Sequence, residues 1–251
     1  MKQAVLTTVA AIMAAALAAL GGYIVCTDAL FEGVQLYALV PIYIVFLILA
    51  AFTDDIFHEL AHLLVGLICR MGPMLPEIRI FGSSSIQVYP FGAHRMKARM
   101  IATASAGLVL DLLLIALGIV ALTVPAVPSY LCVFMPYAFY AFFINVLPFE
   151  YESGKTDGLV VYELIANKPT AQVMLAILKI QGLMHSGKAL GELDEGLFLD
   201  VPQLPEDDYN FVILTQMRYE YYKAVGNGTE SEKYCARFKH LTGCHPEEYG
   251  G

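Results

Sequence analysis

Residues 34–70 read VQLYALVPIYIVFLILAAFTDDIFHELAHLLVGLICR, and this stretch decides the fold. As far as residue 52 it carries no charge, over about the 20 residues that a helix needs to cross a hydrocarbon core. The helical pattern continues through Asp54, Asp55, His58, Glu59 and His62 to Arg70. Ionisable groups therefore sit at the inner end of an apolar helix, where they are costly and mark a functional site.

Three further apolar stretches match the first in length: about residues 4–26, 100–124 and 130–147, the last two separated by a turn at Pro125 and Pro128. The 4–26 run is longer than the ~7–15-residue core of a secretory signal, which favours an uncleaved span. Hydrophobic residues make up 58% of the chain and charged residues 15%, with a mean hydropathy of +0.62. Soluble domains carry about half apolar and roughly a quarter charged residues, so part of this chain belongs in lipid. The expected fold is an all-α membrane protein with about four transmembrane helices, a short cytoplasmic β-hairpin and a C-terminal soluble helical domain. The expected division is 1–33 for the first span and outer loop, 34–158 for a catalytic membrane core and 159–251 for an acidic helical domain.

Arg70, Arg79, Arg95, Lys97 and Arg99 lie between the second and third spans, whereas Asp28 and Glu32 are the only charges between the first and second. The positive-inside rule places the Arg-rich side in the cytoplasm. A multi-pass protein of the cell membrane with both termini and the HELAH segment on the cytoplasmic side is expected. In the Arg-rich segment, Ile78-Arg79-Ile80-Phe81 and Ile86-Gln87-Val88-Tyr89 flank Gly82-Ser83-Ser84-Ser85, which predicts the hairpin; a plain connecting loop is the alternative.

From Glu150 onward there are 16 acids against 9 Lys and Arg, a net of −7. This is a solvated acidic segment, unlike a nucleic-acid-binding surface. Residues 170–184 predict an amphipathic helix. A second helix starts at Pro205-Glu206-Asp207-Asp208 and runs to about 225, and a third is expected behind a Thr229/Glu232 capping box and to end near 241. A helical hairpin of this kind suits an adaptor for a regulatory partner. The five cysteines are odd in number and irregularly spaced, so no disulfide framework is indicated. Cys235, His240, Cys244 and His245 fit no common zinc spacing.

The chemistry resides in His58-Glu59-Leu60-Ala61-His62. Histidines four apart share one helix face and can direct ring nitrogens at one ion, leaving Glu59 about 100° round the helix, within reach of a water held there. An ion lowers the water's pKa towards ~7, and a carboxylate can take its proton. A third ligand is needed, and Asp157 returns to the same side of the membrane after the fourth span. Glu150 and Glu152 compete for that role, and Asp157 alternatively caps a helix beginning near Gly158. Asp55 projects about 60° from His58 and reads as a histidine-orienting acceptor or a solvated acid. Asp111, deep in the third span, reads as a polar contact to the active-site helix or to substrate, or as a neutral packing residue.

HELAH in a membrane helix, followed by Asn145-Val146-Leu147-Pro148 and then Asp157-Gly158, resembles the site-2 protease family of intramembrane zinc metalloproteases. Gly66 stands where that family favours a small residue, and Ala104-Ser105-Ala106-Gly107-Leu108-Val109-Leu110-Asp111 is similar to its small-residue segment in the third span. The Pro148-to-Asp157 gap is longer than the common family pattern, and Leu108 and Asp111 replace the usual Pro and Asn. The resemblance implies Zn2+ held by His58, His62 and Asp157, Glu59 as catalytic base and Asn145 near the substrate. It also implies a lipid-embedded three-helix core acting on a transmembrane or membrane-associated peptide, delivered to the sheet that the hairpin would supply. The alternatives are a membrane HExxH peptidase of another kind with a Glu ligand, acting on unfolded proteins, and a metal-binding scaffold without turnover.

Overall fold

A computed structural model of the chain describes residues 2–28, 33–73, 88–151 and 154–248. Four helical segments among them are long and apolar enough to cross a membrane. They are α1 (Lys2–Thr27), α2 (Leu36–Ile68), α3 (Met96–Thr123) and a fourth at Ser129–Val146. The fourth opens with a 3-10 turn, Ser129–Phe134, and becomes α4 at Met135–Val146. Many of the side chains they leave uncovered are apolar, such as Ile42, Phe46 and Leu113, as lipid-facing surfaces require. The β-hairpin expected at 78–89 falls mostly on residues outside those described. At its base Pro73 and Val88 form an antiparallel bridge.

The chain divides into two compact units. The first includes Met1–Val65 and Ala102–Val161. In it α1 packs on α4 and the 3-10 turn, and its small residues permit close approach. A Cβ on Gly22 would lie 2.8 Å from the Tyr43 ring, whose hydroxyl donates to the Ala18 carbonyl at 3.0 Å. Close packing of this kind is what holds helices together where lipid removes the hydrophobic drive. After α4 the chain forms a two-stranded hairpin, β1 (Glu150–Tyr151) with β2 (Gly154–Lys155), and then enters α5 (Asp157–Ile165). Strands this short carry no alternation, so the sequence reading missed them.

The second unit takes in Tyr162–Gly251 with Gly66–Met74 and Gln87–Ile101. Its helices are α6 (Pro169–His185), α7 (Gly196–Leu199), α8 (Tyr209–Ala224) and α9 (Gly228–Thr242). They enclose a core that includes Ile180, Phe198, Leu204, Leu214 and Tyr221. Asp208 caps α8 by accepting the Asn210 amide at 2.8 Å. At α9 the expected capping box gives way to Asn227, which accepts from the Glu230 amide. The helix consequently starts at Gly228, ahead of Thr229, and Gly243 ends it in a left-handed conformation (φ 75°). Arg99 secures the C-terminal end of α2, donating to the Cys69 carbonyl at 2.6 Å and also to the Arg70 carbonyl, two groups that the helix leaves without partners.

Candidate metal centre

His58 and His62 lie one turn apart on α2, and each is 7% exposed. Their rings are held from behind by different means. His58 Nδ1 donates to both oxygens of Asp111 on α3, at 3.0 and 3.1 Å, and Asp111 is completely buried. His62 Nδ1 lies 2.7 Å from the carbonyl oxygen of Thr103. A carbonyl can only accept, so the proton of a neutral His62 ring is on Nδ1. The Asp111 carboxylate fixes the same tautomer on His58. Both Nε2 lone pairs are thereby aimed away from α3's acceptors and towards each other.

The third group arrives from the far end of the unit. Asp157 Oδ2 lies 3.2 Å from His58 Nε2 and 3.2 Å from His62 Nε2, and the two Nε2 atoms are 3.2 Å apart. Three electron-pair donors thus form a nearly equilateral triangle with no hydrogen between the neutral rings and the carboxylate. With the rings neutral, a metal ion at its centre would satisfy all three donors at once. The spacing fits a metal. Bonds of about 2.0–2.1 Å at tetrahedral angles place donors about 3.3 Å apart, and two imidazoles with one carboxylate leave the fourth position of such an ion open. His58, His62 and Asp157 are also the group among the described residues whose ligand atoms converge closely enough to hold an ion.

Two glycines make the closure possible. A Cβ on Gly107 would lie 2.6 Å from His62 Nε2 and nearer still to His58 Nε2, so it would crowd the two ring nitrogens that face the triangle. A Cβ on Gly158 would lie 2.8 Å from the Asn145 carbonyl oxygen and closer to that of Val146. The Asp157-Gly158 turn therefore rests directly against the last turn of α4.

The long Pro148–Asp157 gap is absorbed by the hairpin. The Thr156 amide donates to the Phe149 carbonyl at 3.1 Å, and Thr156 Oγ1 donates to the Leu147 carbonyl at 2.7 Å. The strands Glu150–Tyr151 and Gly154–Lys155 lie between these contacts, and Asp157 returns beside α4. Thr156 also receives the Leu159 amide at 3.3 Å, so it caps α5 and the Asp157 carboxylate is left for the histidines. The capping alternative for Asp157 is overturned. Glu150 is exposed on β1 and does not join the cluster, while Glu152 lies outside the described residues.

Glu59 is half-buried on α2 and interacts electrostatically with His62, His58 and Asp157. Asn145 is half-buried in the last turn of α4, against the Asp157-Gly158 turn. Asp55 neither orients a histidine nor meets only solvent, since it accepts the Tyr137 hydroxyl at 2.6 Å; the orienting carboxylate is Asp111. Asp54 is buried, and neither of its oxygens has a hydrogen-bond partner among the described residues. Sequence reasoning missed Thr103, which contributes only a backbone carbonyl, and gave Gly107 no role beyond small size. No protein-family model matches this chain, and no curated protein or solved structure does either.

Proposed function

We propose that the protein is an intramembrane zinc endopeptidase, similar in its site to the site-2 proteases, which cuts a transmembrane or membrane-adjacent peptide near the cytoplasmic face. The observation that carries this reading is the 3.2 Å triangle of His58, His62 and Asp157, with both imidazole Nδ1 atoms already committed behind it.

His58, His62 and Asp157 would hold Zn2+, which supplies Lewis acidity and makes a water nucleophilic near neutral pH. Glu59 takes the water's proton and passes it to the departing amine. Asp111 and Thr103 would serve catalysis by keeping each Nδ1–H bound outside the reaction space, so that each Nε2 lone pair stays available to the ion. Asn145 donates its side-chain amide to the carbonyl oxygen as negative charge develops. A helical substrate shields its carbonyls in its own hydrogen bonds, so it must unwind before attack. Arg70, Arg95, Lys97 and Arg99 at the ends of α2 and α3 favour the cytoplasmic side for this end of the membrane core.

The test compares wild type with Glu59→Gln, reading bound metal and the full-length form of membrane peptides. Glu59→Gln is expected to keep its metal and to lose cleavage by about 10²–10⁴-fold, the usual worth of a general base. Bound metal with no Glu59-dependent cleavage would assign the protein to non-catalytic scaffolds. Absence of metal in wild type would remove the proposal altogether.

A further inference from the structure

The segment from Glu150 onward carries 16 acids and 9 Lys and Arg, yet one cavity within it has the opposite character. It measures about 510 Å³ and opens between α8 and α9, beside the loop that precedes α8. Arg218, Lys233, Arg237 and His240 line it, together with Tyr234 and Gln203. No acidic side chain is among its lining residues. Three permanent cations on the wall of one cavity make its local potential positive within a segment of net −7, which favours an anion there.

Arg218 is the anchor. Its Nε donates to the Phe198 carbonyl at 2.9 Å, and its guanidinium lies over the Tyr234 ring at 5.7 Å. These contacts fix the direction of the side chain, and it has no carboxylate partner among the described residues. Lys233 and Arg237 do have partners, Glu230 and Glu206, but both pairs are on the exposed rim. Ion pairs in that setting contribute little and exchange readily for a better anion. A guanidinium held in place by Phe198 and Tyr234, with two exchangeable cations lining the same cavity, suits phosphate oxygens in charge. A single carboxylate would leave most of that charge unmet. The volume is within the ~300–1,000 Å³ of small-ligand sites and exceeds what one phosphate fills.

We propose that this α8–α9 cavity binds a phosphate-bearing ligand through Arg218, Lys233 and Arg237, with a di- or polyphosphate group or a terminal phosphomonoester as the recognised chemistry. The site shares no residue with the candidate metal centre and does not depend on the proteolytic reading. Either a soluble phosphorylated metabolite or a phosphomonoester lipid headgroup carries that chemistry.

Calorimetric titration of the full-length protein in detergent with pyrophosphate tests the proposal, in buffer without free divalent cations. Binding should weaken about tenfold or more in Arg218→Gln and also fall in Lys233→Gln and Arg237→Gln, two exposed changes that leave the core intact. Binding should persist in His62→Ala, because pyrophosphate held at the metal centre would be lost there. Competition by micelles containing phosphatidic acid, but not phosphatidylcholine, assigns the lipid source; competition by inorganic phosphate or nucleotides alone assigns the soluble one. The proposal is overturned if neither pyrophosphate nor phosphatidic acid binds, if the three substitutions leave binding unchanged, or if only a phosphopeptide binds.

Discussion

If His58, His62 and Asp157 hold zinc as proposed, a single methyl group at position 107 should empty the site. Gly107 faces α2 at the point where the two imidazoles converge, and an added Cβ would stand 2.6 Å from His62 Nε2. Non-bonded heavy atoms settle at about 3.5–4.0 Å, so His62 must retreat by roughly 0.9 Å or more, and His58 further. A displacement of that size is close to half of a ~2.0–2.1 Å metal–nitrogen bond, and it also strains the 2.7 Å contact to Thr103 that sets the tautomer. Propensity works in the opposite direction. Alanine is favoured over glycine inside a helix by about 0.8–1.0 kcal/mol, so Gly107→Ala should keep α3 helical and keep the protein in the membrane. The expected result is a folded protein whose zinc affinity falls by about 100-fold or more, at least the upper end of what disturbing the residues behind a metal ligand costs. Zinc content measured against a graded chelator, with helix content from circular dichroism, separates these effects. Gly118→Ala provides the control. A Cβ there would press on Met135 Cβ and lie 3.0 Å from its Cγ, a comparably tight approach about 16 Å farther along α3 by the helical rise. It should destabilise the protein without touching affinity. If Gly107→Ala holds zinc within twofold of wild type, the donor triangle is not where the ion binds.

Three further outcomes follow from the same geometry. Asp111→Asn should lower zinc affinity by about 10–100-fold while leaving stoichiometry intact, because the amide cannot hold His58 with the same charge; unchanged chelator competition would refute it. Thr156→Val removes one hydroxyl that pairs with the Leu147 carbonyl and the Leu159 amide, so it should cost about 1–3 kcal/mol in a denaturant series and shift Asp157 away from the histidines. In the C-terminal unit, hydrogen bonds from Lys223 and Tyr219 hold the Glu247 carboxyl below its ordinary 4.5. A depressed carboxyl contributes stability above its unfolded value and loses it as pH falls through its folded one. Glu247→Gln should therefore lower the unfolding midpoint slightly at pH 6 and have no effect well below pH 4; an equal effect at both would refute the pairing.

The membrane helices were legible because their signal is local and cumulative. About twenty apolar residues in succession leave the backbone one way to satisfy its polar groups in lipid, so residues 4–26, 34–70, 100–124 and 130–147 reappear as helices with ends moved by a few residues. The fourth differs most. Its first turn is 3-10, after Pro128, and α4 proper waits until Met135. Caps were less legible, because Asn227 and Thr229 offer chemically similar oxygens and only the backbone path selects between them. The hairpin at 150–155 left no pattern at all, although the awkward length of the gap before Asp157 was its trace.

The centre itself divides along the same line. His58, Glu59 and His62 are close in sequence, so helix geometry alone predicts that two of them share a face. Asp157 required knowing that the fourth span returns to the same side, which topology supplies without coordinates. The residues behind the ligands had no comparable route. Thr103 acts through a carbonyl that every residue possesses, and Gly107 acts by leaving room for the two imidazoles to converge. Asp111 is the instructive case, because a carboxylate at that depth was visibly expensive and its cost signalled a partner without naming it. The partner is the ring of His58, 53 positions earlier. An unexplained charge inside a span therefore identifies the existence of a contact from sequence, while the other end of that contact is fixed only by how α3 packs on α2. By that logic Asp54, equally buried and without a partner among the described residues, marks the place in the membrane core where a further polar contact is still to be found.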